Sequence, residues 1–490
     1  MQAAKLTILE KVLRGEVRVI PTPTLARRPA CAPAPLSHNQ EQVYLHAQFA
    51  DRLAPHSRLY NETITIHRSG SLNVQALELS LTEILRRHEA WRTKFAPMNG
   101  ILVQTVNSVP RIHLDVTDLS RIPESQRELA TIQIAELNAQ KPFDLAEGPL
   151  VRFQLVRLND SEHRLFLTAH QIVVDGVSVF NVFLTELSAL YEAFAANRSS
   201  PLLQLPVQYS DYAQWQRDTL NSGALSQHLS YWRQQLAGGV PVLRLPTDHA
   251  RPRLQTFHGA IQPFAISQKV SNAVNALTRA ERTTPFVTFL AAFTILLHSY
   301  TGQEDIVIGT VAPTRDRSEL HHLLGYFLNP VVLYLRLAGN PTFKEVLIRV
   351  RDVLLGALSH VQIPFHFLVD AIRTESDLSR HPFFQVQFSL EPPVSPSVSG
   401  WNLTPMDLQT GGAKLDLYFV LDARSDGTFG RAQYNPDLFR AATIQRMIRA
   451  YEAFLAAAAA DPNKRLSELL LQLSFYDEVH FSVIRKSLQR

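Results

Sequence analysis

The chain has 490 residues, 46 % of them apolar and 19 % charged, which is enough to bury a large core and points to two domains or two lobes. Its formal charge of +4 is scattered along the sequence, which argues against nucleic acid as the main ligand. No run of about eighteen apolar residues marks a membrane span, and no charged-then-apolar start marks secretion, so a cytoplasmic protein is expected. The single cysteine, Cys31, cannot form an internal disulfide, and no Cys/His cluster has zinc spacing, so no metal is expected.

In chain order, residues 5–17 place Leu6, Leu9, Val12 and Leu13 on one face of a short helix that Gly15 ends. Pro21, Pro23, Pro29, Pro33 and Pro35 then form an extended linker, so residues 1–34 read as an N-terminal helix and Pro-rich linker, either a tether or a frayed terminus. Residues 35–240 are expected to form an N-terminal lobe. Residues 241–470 form a C-terminal lobe with a latch region, and 471–490 a tail. Residues 72–90 carry Leu72, Leu77, Leu81, Ile84 and Leu85 at helical spacing, ending near His88. Arg87, Glu89 and Arg92 beyond them are placed to form an ion-pair network of scaffold character. Residues 141–158 read as a turn and an alternating strand.

Residues 164–169 are apolar and β-favouring, while Phe180, Phe183, Leu184, Leu187, Leu190 and Tyr191 recur at helical spacing. Between them residues 171–176, with Gln171, Asp175 and Gly176, form a tight strand-to-helix connection, His170 standing just before it and Ser178 just after. Such a turn holds side chains and backbone N–H groups at the rim of a sheet, and the positive end of the helix favours a developing oxyanion. Taken alone, His170 reads more readily as a buried histidine satisfied by the backbone. Further on, Tyr212 and Trp215 read as a packed aromatic helix, and Leu245 to Arg253 as a crossover between lobes. Residues 284–300 form a helix apolar nearly all round, and Asp305–Val311 a strand. Pro330 puts local strand pairing in doubt, because proline lacks the backbone donor. The pair His321 and His322 is expected to be exposed.

The stretch with His170, Asp175 and Gly176 resembles the HHxxxDG motif of condensation domains of nonribosomal peptide synthetases, members of the chloramphenicol-acetyltransferase-like superfamily. Gln171 stands where the second His belongs, the one the family is usually described as using in the reaction. Ser37 to Leu45 resembles SxAQxRLWxL, Arg87 to Phe95 RHExLRTxF, and Tyr209 to Arg217 YxDYAxWQR. Leu324 to Leu333 resembles IGxFVNTLxLR with Pro330 for Thr, and His360 to Val369 resembles HQDxPFExLV without its acidic residues. Asp377 to Phe388 matches the last motif, so the resemblance covers about residues 35–470.

The resemblance implies an α/β fold, a V-shaped pair of chloramphenicol-acetyltransferase-like lobes, each a mixed sheet with helices, with a tunnel between them. It implies that an acyl or peptidyl thioester on an upstream carrier protein is joined to an amine on a downstream carrier protein. The phosphopantetheine arms belong to the carriers, so no cofactor of the chain's own is implied. Its partners would be these carriers and neighbouring synthetase domains, with no nucleic acid and no membrane. An Arg at the place of Arg315 would pair with Asp175 and tie the lobes together, and part of the region after residue 390 would be a latch crossing onto the first lobe.

Gln171 is no base near neutral pH, but its amide accepts one hydrogen bond and donates two. Losing general-base help costs about 10²–10⁴-fold in rate. An α-amine, with a pKa of about 7.7–8.0, is partly free base at neutral pH, whereas an alcohol is not, which argues against ester formation. His170 adjoins Gln171 on an extended segment, where neighbouring side chains point to opposite faces, so it reads as an anchor for the loop. Two readings follow. In the first, an active amide-forming domain uses Gln171 to orient the amine, Asp175 and Arg315 to brace the loop, and the Gly176 N–H near the oxyanion, with Ser178 structural. In the second, a catalytically silent domain binds carrier proteins or recruits a partner enzyme. A free-standing acyltransferase using a small CoA thioester is a third reading, which the Pro-rich tether and the motif set disfavour.

Overall fold

The computed structural model describes residues 25–29, 32–54, 58–220, 225–372, 377–391, 400–404, 408–424 and 427–473. The short helix expected in 5–17, Cys31, most of the Pro/Ser-rich loop after residue 390 and residues 474–490 lie outside them.

The first lobe is built on a five-stranded sheet. Its strands are β2 (Asn61–Ser69), β5 (Val116–Asp118), β6 (Val151–Asn159), β7 (Glu162–His170) and β12 (Trp401–Thr404), in the order β12-β2-β7-β6-β5. A small sheet of β1 (Ala34–Pro35), β3 (Thr93–Met98) and β4 (Ile101–Val106) lies beside it. The helices of this half are α1 (His38–Leu53), α2 (Val74–Arg87), α3 (Glu124–Ala139), α4 (Leu184–Ala195) and α5 (Tyr209–Thr219). In α2 the stripe Leu77, Leu81, Ile84 and Leu85 is buried against the sheet and α4. Each such leucine stabilises the lobe by about 1.5–3 kcal/mol.

The second lobe holds a six-stranded sheet in the order β10-β9-β11-β13-β14-β8. These strands are β8 (Ala260–Ile266), β9 (Asp305–Pro313), β10 (Leu328–Arg336), β11 (Val386–Leu390), β13 (Leu417–Arg424) and β14 (Gly427–Tyr434). Around it pack α6 (Leu225–Gln235), α7 (Gln268–Ala280), α8 (Pro285–Thr301), α9 (Phe343–Ser359), α10 (Phe365–Ile372), α11 (Ala441–Ala460) and α12 (Leu466–Leu473). Helix α8, capped by Thr284 and stopped by Gly302 in the left-handed conformation, is buried on nearly every side. No single helix among the described residues is long and apolar enough to cross a membrane.

Several details differ from the sequence reading. Pro330 does not break pairing: β10 stays in register with β9, Pro330 opposite Val311. As the edge strand, β10 needs only alternate N–H groups for its single neighbour. Arg87 pairs with Glu186 of α4 at 2.8 Å, while Glu89 and Arg92 stand 3.8 Å apart. His88 donates from Nε2 to the same Glu186 at 2.8 Å and accepts on Nδ1 from the Leu324 N–H at 3.3 Å, so this segment ties the lobes together. Helix α6 precedes residue 240, yet Trp232 and Leu236 pack in the second lobe's core. By contrast, His321 and His322 are exposed on a turn, as expected.

Two further connections help to fix how the lobes meet. Strand β12, far along the chain, pairs antiparallel with β2 of the first lobe, with the Trp401 side chain fully buried there. On the other side Gly325 lies against Tyr209 so closely that an added Cβ would stand 2.1 Å from its ring, and only glycine fits.

Candidate functional site

Strand β7 ends at His170, and the chain passes through a single 3-10 turn, Gln171–Val173, before the helix begins at Gly176. The first turns of that helix are π-wound, Ser178–Phe183, a feature the helical spacing did not disclose. The loop is pinned along its length. Its Gln171 N–H donates to Tyr60 O at 2.8 Å. Ile172 O accepts from Gln40 Nε2 at 3.3 Å, and Val173 O from Trp91 Nε1 at 3.2 Å.

His170 and Gln171 diverge. His170 is buried, accepts the Ile172 N–H on Nδ1 at 3.2 Å, and rests near the rings of Tyr60 and Phe143. Burial, with the Lys414 charge adding to it, pushes the imidazole down to about 3, so it is neutral at physiological pH. Gln171 instead lines a cavity of about 900 Å³ whose walls come from both lobes, with Val174 and Phe180 on one side and Tyr326 and Tyr418 on the other. Its carboxamide oxygen accepts from Lys414 Nζ. A lysine ammonium can only donate, so this contact occupies one lone pair of the oxygen and uses neither of the amide's two N–H groups.

Asp175 caps the helix and joins the lobes. Its Oδ1 accepts the Ser178 N–H at 2.7 Å and Arg315 Nη2 at 3.1 Å, and its Oδ2 accepts the Phe327 N–H at 3.0 Å. Ser178 Oγ accepts from Arg315 Nη2 at 2.7 Å and donates to Gly325 O at 2.9 Å. Arg315 also donates to Leu320 O and Leu323 O, and its guanidinium lies 3.9 Å from the Phe327 ring centre. Gly176 follows as the first helical residue, where N–H groups have no intrahelical partner.

Sequence reasoning overlooked the polar wall facing this loop. Lys414 lies 3.6 Å from Glu62 and 4.4 Å from the centre of the Tyr60 ring, and desolvation lowers its pKa against the opposing pull of Glu62. His46, bonded to Tyr60 Oη at 2.7 Å, is pushed down to about 4 by burial and then by Lys414. Lys414 opens a segment visible in the sequence, a lone cation before an apolar strand, but nothing local linked it to Gln171. Among the described residues no group of three or more His, Cys, Asp or Glu is arranged to hold a metal ion.

Two lobes of mixed sheet, flanked by helices and meeting at a shared cavity beside a strand-to-helix loop, define a chloramphenicol-acetyltransferase-like fold. The family model described as Condensation domain matches residues 32–478, and the chain belongs to the condensation domains of nonribosomal peptide synthetases. It is 38 % identical over 441 residues to one of the proteins of linear gramicidin synthase from Brevibacillus parabrevis, covering 89 % of this chain and only 9 % of that protein. It is similar to the X-domain of teicoplanin biosynthesis, solved in complex with OxyB, with a TM-score of 0.77 and 26 % identity, covering 92 % of this chain and 99 % of that one. The first condensation domain of the calcium-dependent antibiotic synthetase, solved with a substrate analogue, shares the fold at TM-score 0.78 and 19 % identity, covering 89 % of this chain and 99 % of that one.

Proposed function

We propose that this chain joins a carrier-bound acyl or peptidyl thioester to the amine of a carrier-bound aminoacyl group, forming an amide. The observation that carries this reading is the placement of Gln171. Its side chain enters the shared cavity from a loop held by the buried Asp175–Arg315 pair, with its oxygen turned to Lys414. The amide N–H groups of Gln171 and the Gly176 N–H are then suited to hold the thioester carbonyl oxygen as it gains charge. A donor placed this way is typically worth about 2.7–4 kcal/mol, comparable to the general base that Gln171 lacks. The cavity has room for pantetheine arms, which arrive with the carrier proteins as part of the substrates.

A second reading is favoured by one observation: the similar X-domain was solved with a partner protein, OxyB. Under it, the chain binds carriers or recruits an enzyme and forms no bond. Intact-mass detection of product on an acceptor carrier, with a panel of acyl-loaded donor carriers, separates the two. Transfer above the no-enzyme background that falls in Gln171→Ala supports amide formation. Carrier binding without transfer across the panel supports the silent reading.

A further inference from the structure

The amide-forming reading leaves one atom unassigned, the proton that the acceptor ammonium must lose before its nitrogen can attack. Gln171 cannot take it. His170 is buried with its Nδ1 engaged, Lys414 is a donor to Gln171, and the Tyr418 phenol is pushed up to about 12 by burial. Of the carboxylates that line the cavity, Glu391 is set against the first residue of the motif helix.

Glu391 follows directly on the end of β11, its own N–H donating to Leu421 O at 2.7 Å. Its side chain is 20 % exposed and lines the cavity. Oε1 accepts from Arg431 Nη2 of β14 at 2.8 Å. Oε2 turns to the motif loop: a Cβ added at Gly176 would lie 3.5 Å from it, with the Phe180 ring at 3.3 Å closing the other side. A carboxylate held by one oxygen and aimed by the other at the first residue of the motif helix has the geometry of a positioned proton acceptor. The charged groups around it are Arg431 on β14, Glu62 on β2 and Asp422 on β13. Burial is the largest influence and raises the carboxyl's pKa. Arg431 opposes it, and Glu62 and Asp422 add to it. The shift brings the group closer to an amine in proton affinity.

We propose, resting on the amide-forming reading, that Glu391 is the proton acceptor for the incoming amine. An ammonium N–H bond breaks, its electron pair stays on nitrogen, and the proton bonds to Glu391 Oε2. The free amine attacks the thioester carbonyl carbon, a C–N bond forms and the C–S bond breaks. The sulfur leaves as thiolate and takes the proton shed by the new amide nitrogen. Glu391 returns its proton to solvent through the cavity, so ammonium and thioester become amide, thiol and one proton.

The test is single-turnover amide formation by the whole chain, followed by intact mass across a pH series, for wild type and Glu391→Gln, which keeps the shape and an oxygen for Arg431. At about pH 6.5, below the roughly 7.7–8.0 of an α-amine, Glu391→Gln is expected to be slower by about a hundredfold or more. The two rates should converge above about pH 8.5, where the amine arrives unprotonated. Adding Gln171→His to Glu391→Gln should recover rate at low pH. Arg431→Gln, which removes the opposing cation, should move the acid limb of the wild-type profile to higher pH, and it keeps the proposal testable if Glu391→Gln is unstable. Wild-type transfer with Glu391→Gln matching it at every pH overturns the proposal alone. Absence of wild-type transfer, with carriers still binding, overturns the amide-forming reading and Glu391's role with it.

Discussion

Arg315 of the second lobe reaches Asp175 of the first at 3.1 Å to Oδ1 and 3.2 Å to Oδ2, with the Asp175 carboxylate fully withdrawn from solvent and the Arg315 side chain 4 % exposed. The same carboxylate caps the motif helix and accepts the Phe327 N–H, so one side chain sets both the loop and the lobe contact.

Asp175→Ala therefore strands a buried guanidinium and removes a helix cap at once. Breaking a buried pair from one side costs about 3–5 kcal/mol, and a drop of that size should appear in thermal or denaturant unfolding. Transfer should be lost in the folded fraction. Unchanged transfer would show that the active centre lies elsewhere. Asp175→Asn, which keeps the cap but not the charge, should fall between the two.

Gln171→His keeps one ring N–H for the carbonyl oxygen and adds a second base beside Glu391, so amide formation is expected to rise modestly, by up to about tenfold near neutral pH. Gln171→Ala should lower it. A measured order of His above Gln above Ala fits an active domain, and equal rates for all three would remove Gln171 from the reaction.

Lys414→Met should slow transfer by loosening the Gln171 carboxamide, whose oxygen it holds. If the lysine acts through Gln171, the double variant with Gln171→Ala will be little worse than Gln171→Ala alone. Additive losses would mean that Lys414 acts on substrate directly.

His170 offers a pH test of stability. Its folded pKa is lowered to about 3, so native protein resists a proton that the unfolded chain binds below about 6.5. Stability is thus fully present above the unfolded value and declines as pH falls from about 6.5 toward 3, by up to about 1.4 kcal/mol per pH unit. His170→Asn keeps an acceptor for the Ile172 N–H but does not titrate. Its unfolding free energy should fall less steeply in that window, and parallel slopes for the two proteins would refute the assignment.

Much was legible locally. Ser37 and Gln40, read as a motif, form a capping box that starts α1, with reciprocal bonds of 3.1 Å each way. The leucine stripe of α2 and the all-round apolar α8 followed from spacing, because side chains within one helix are placed by the helix itself. The motif loop was visible as a change of period between β7 and the helix after it.

The rest depended on partners far apart in the chain. Lys414 meets Gln171 across a separation of 243 residues, and Glu391 meets Gly176 only because β11 and β7 end at the same cavity from different sheets. Arg87 found Glu186 rather than the neighbouring Glu89, since the packing of α2 on α4 chose the closer carboxylate. Pro330 was tolerated because β10 lies at the sheet edge, and edge position belongs to the sheet, not the strand. By itself, then, the sequence determined the elements, their caps and the loop that carries Gln171. Apart from Arg315, which the family resemblance set against Asp175, the tertiary structure decided which charges face that loop, because contacts between lobes depend on how whole sheets and helices pack, which no local pattern of residues encodes.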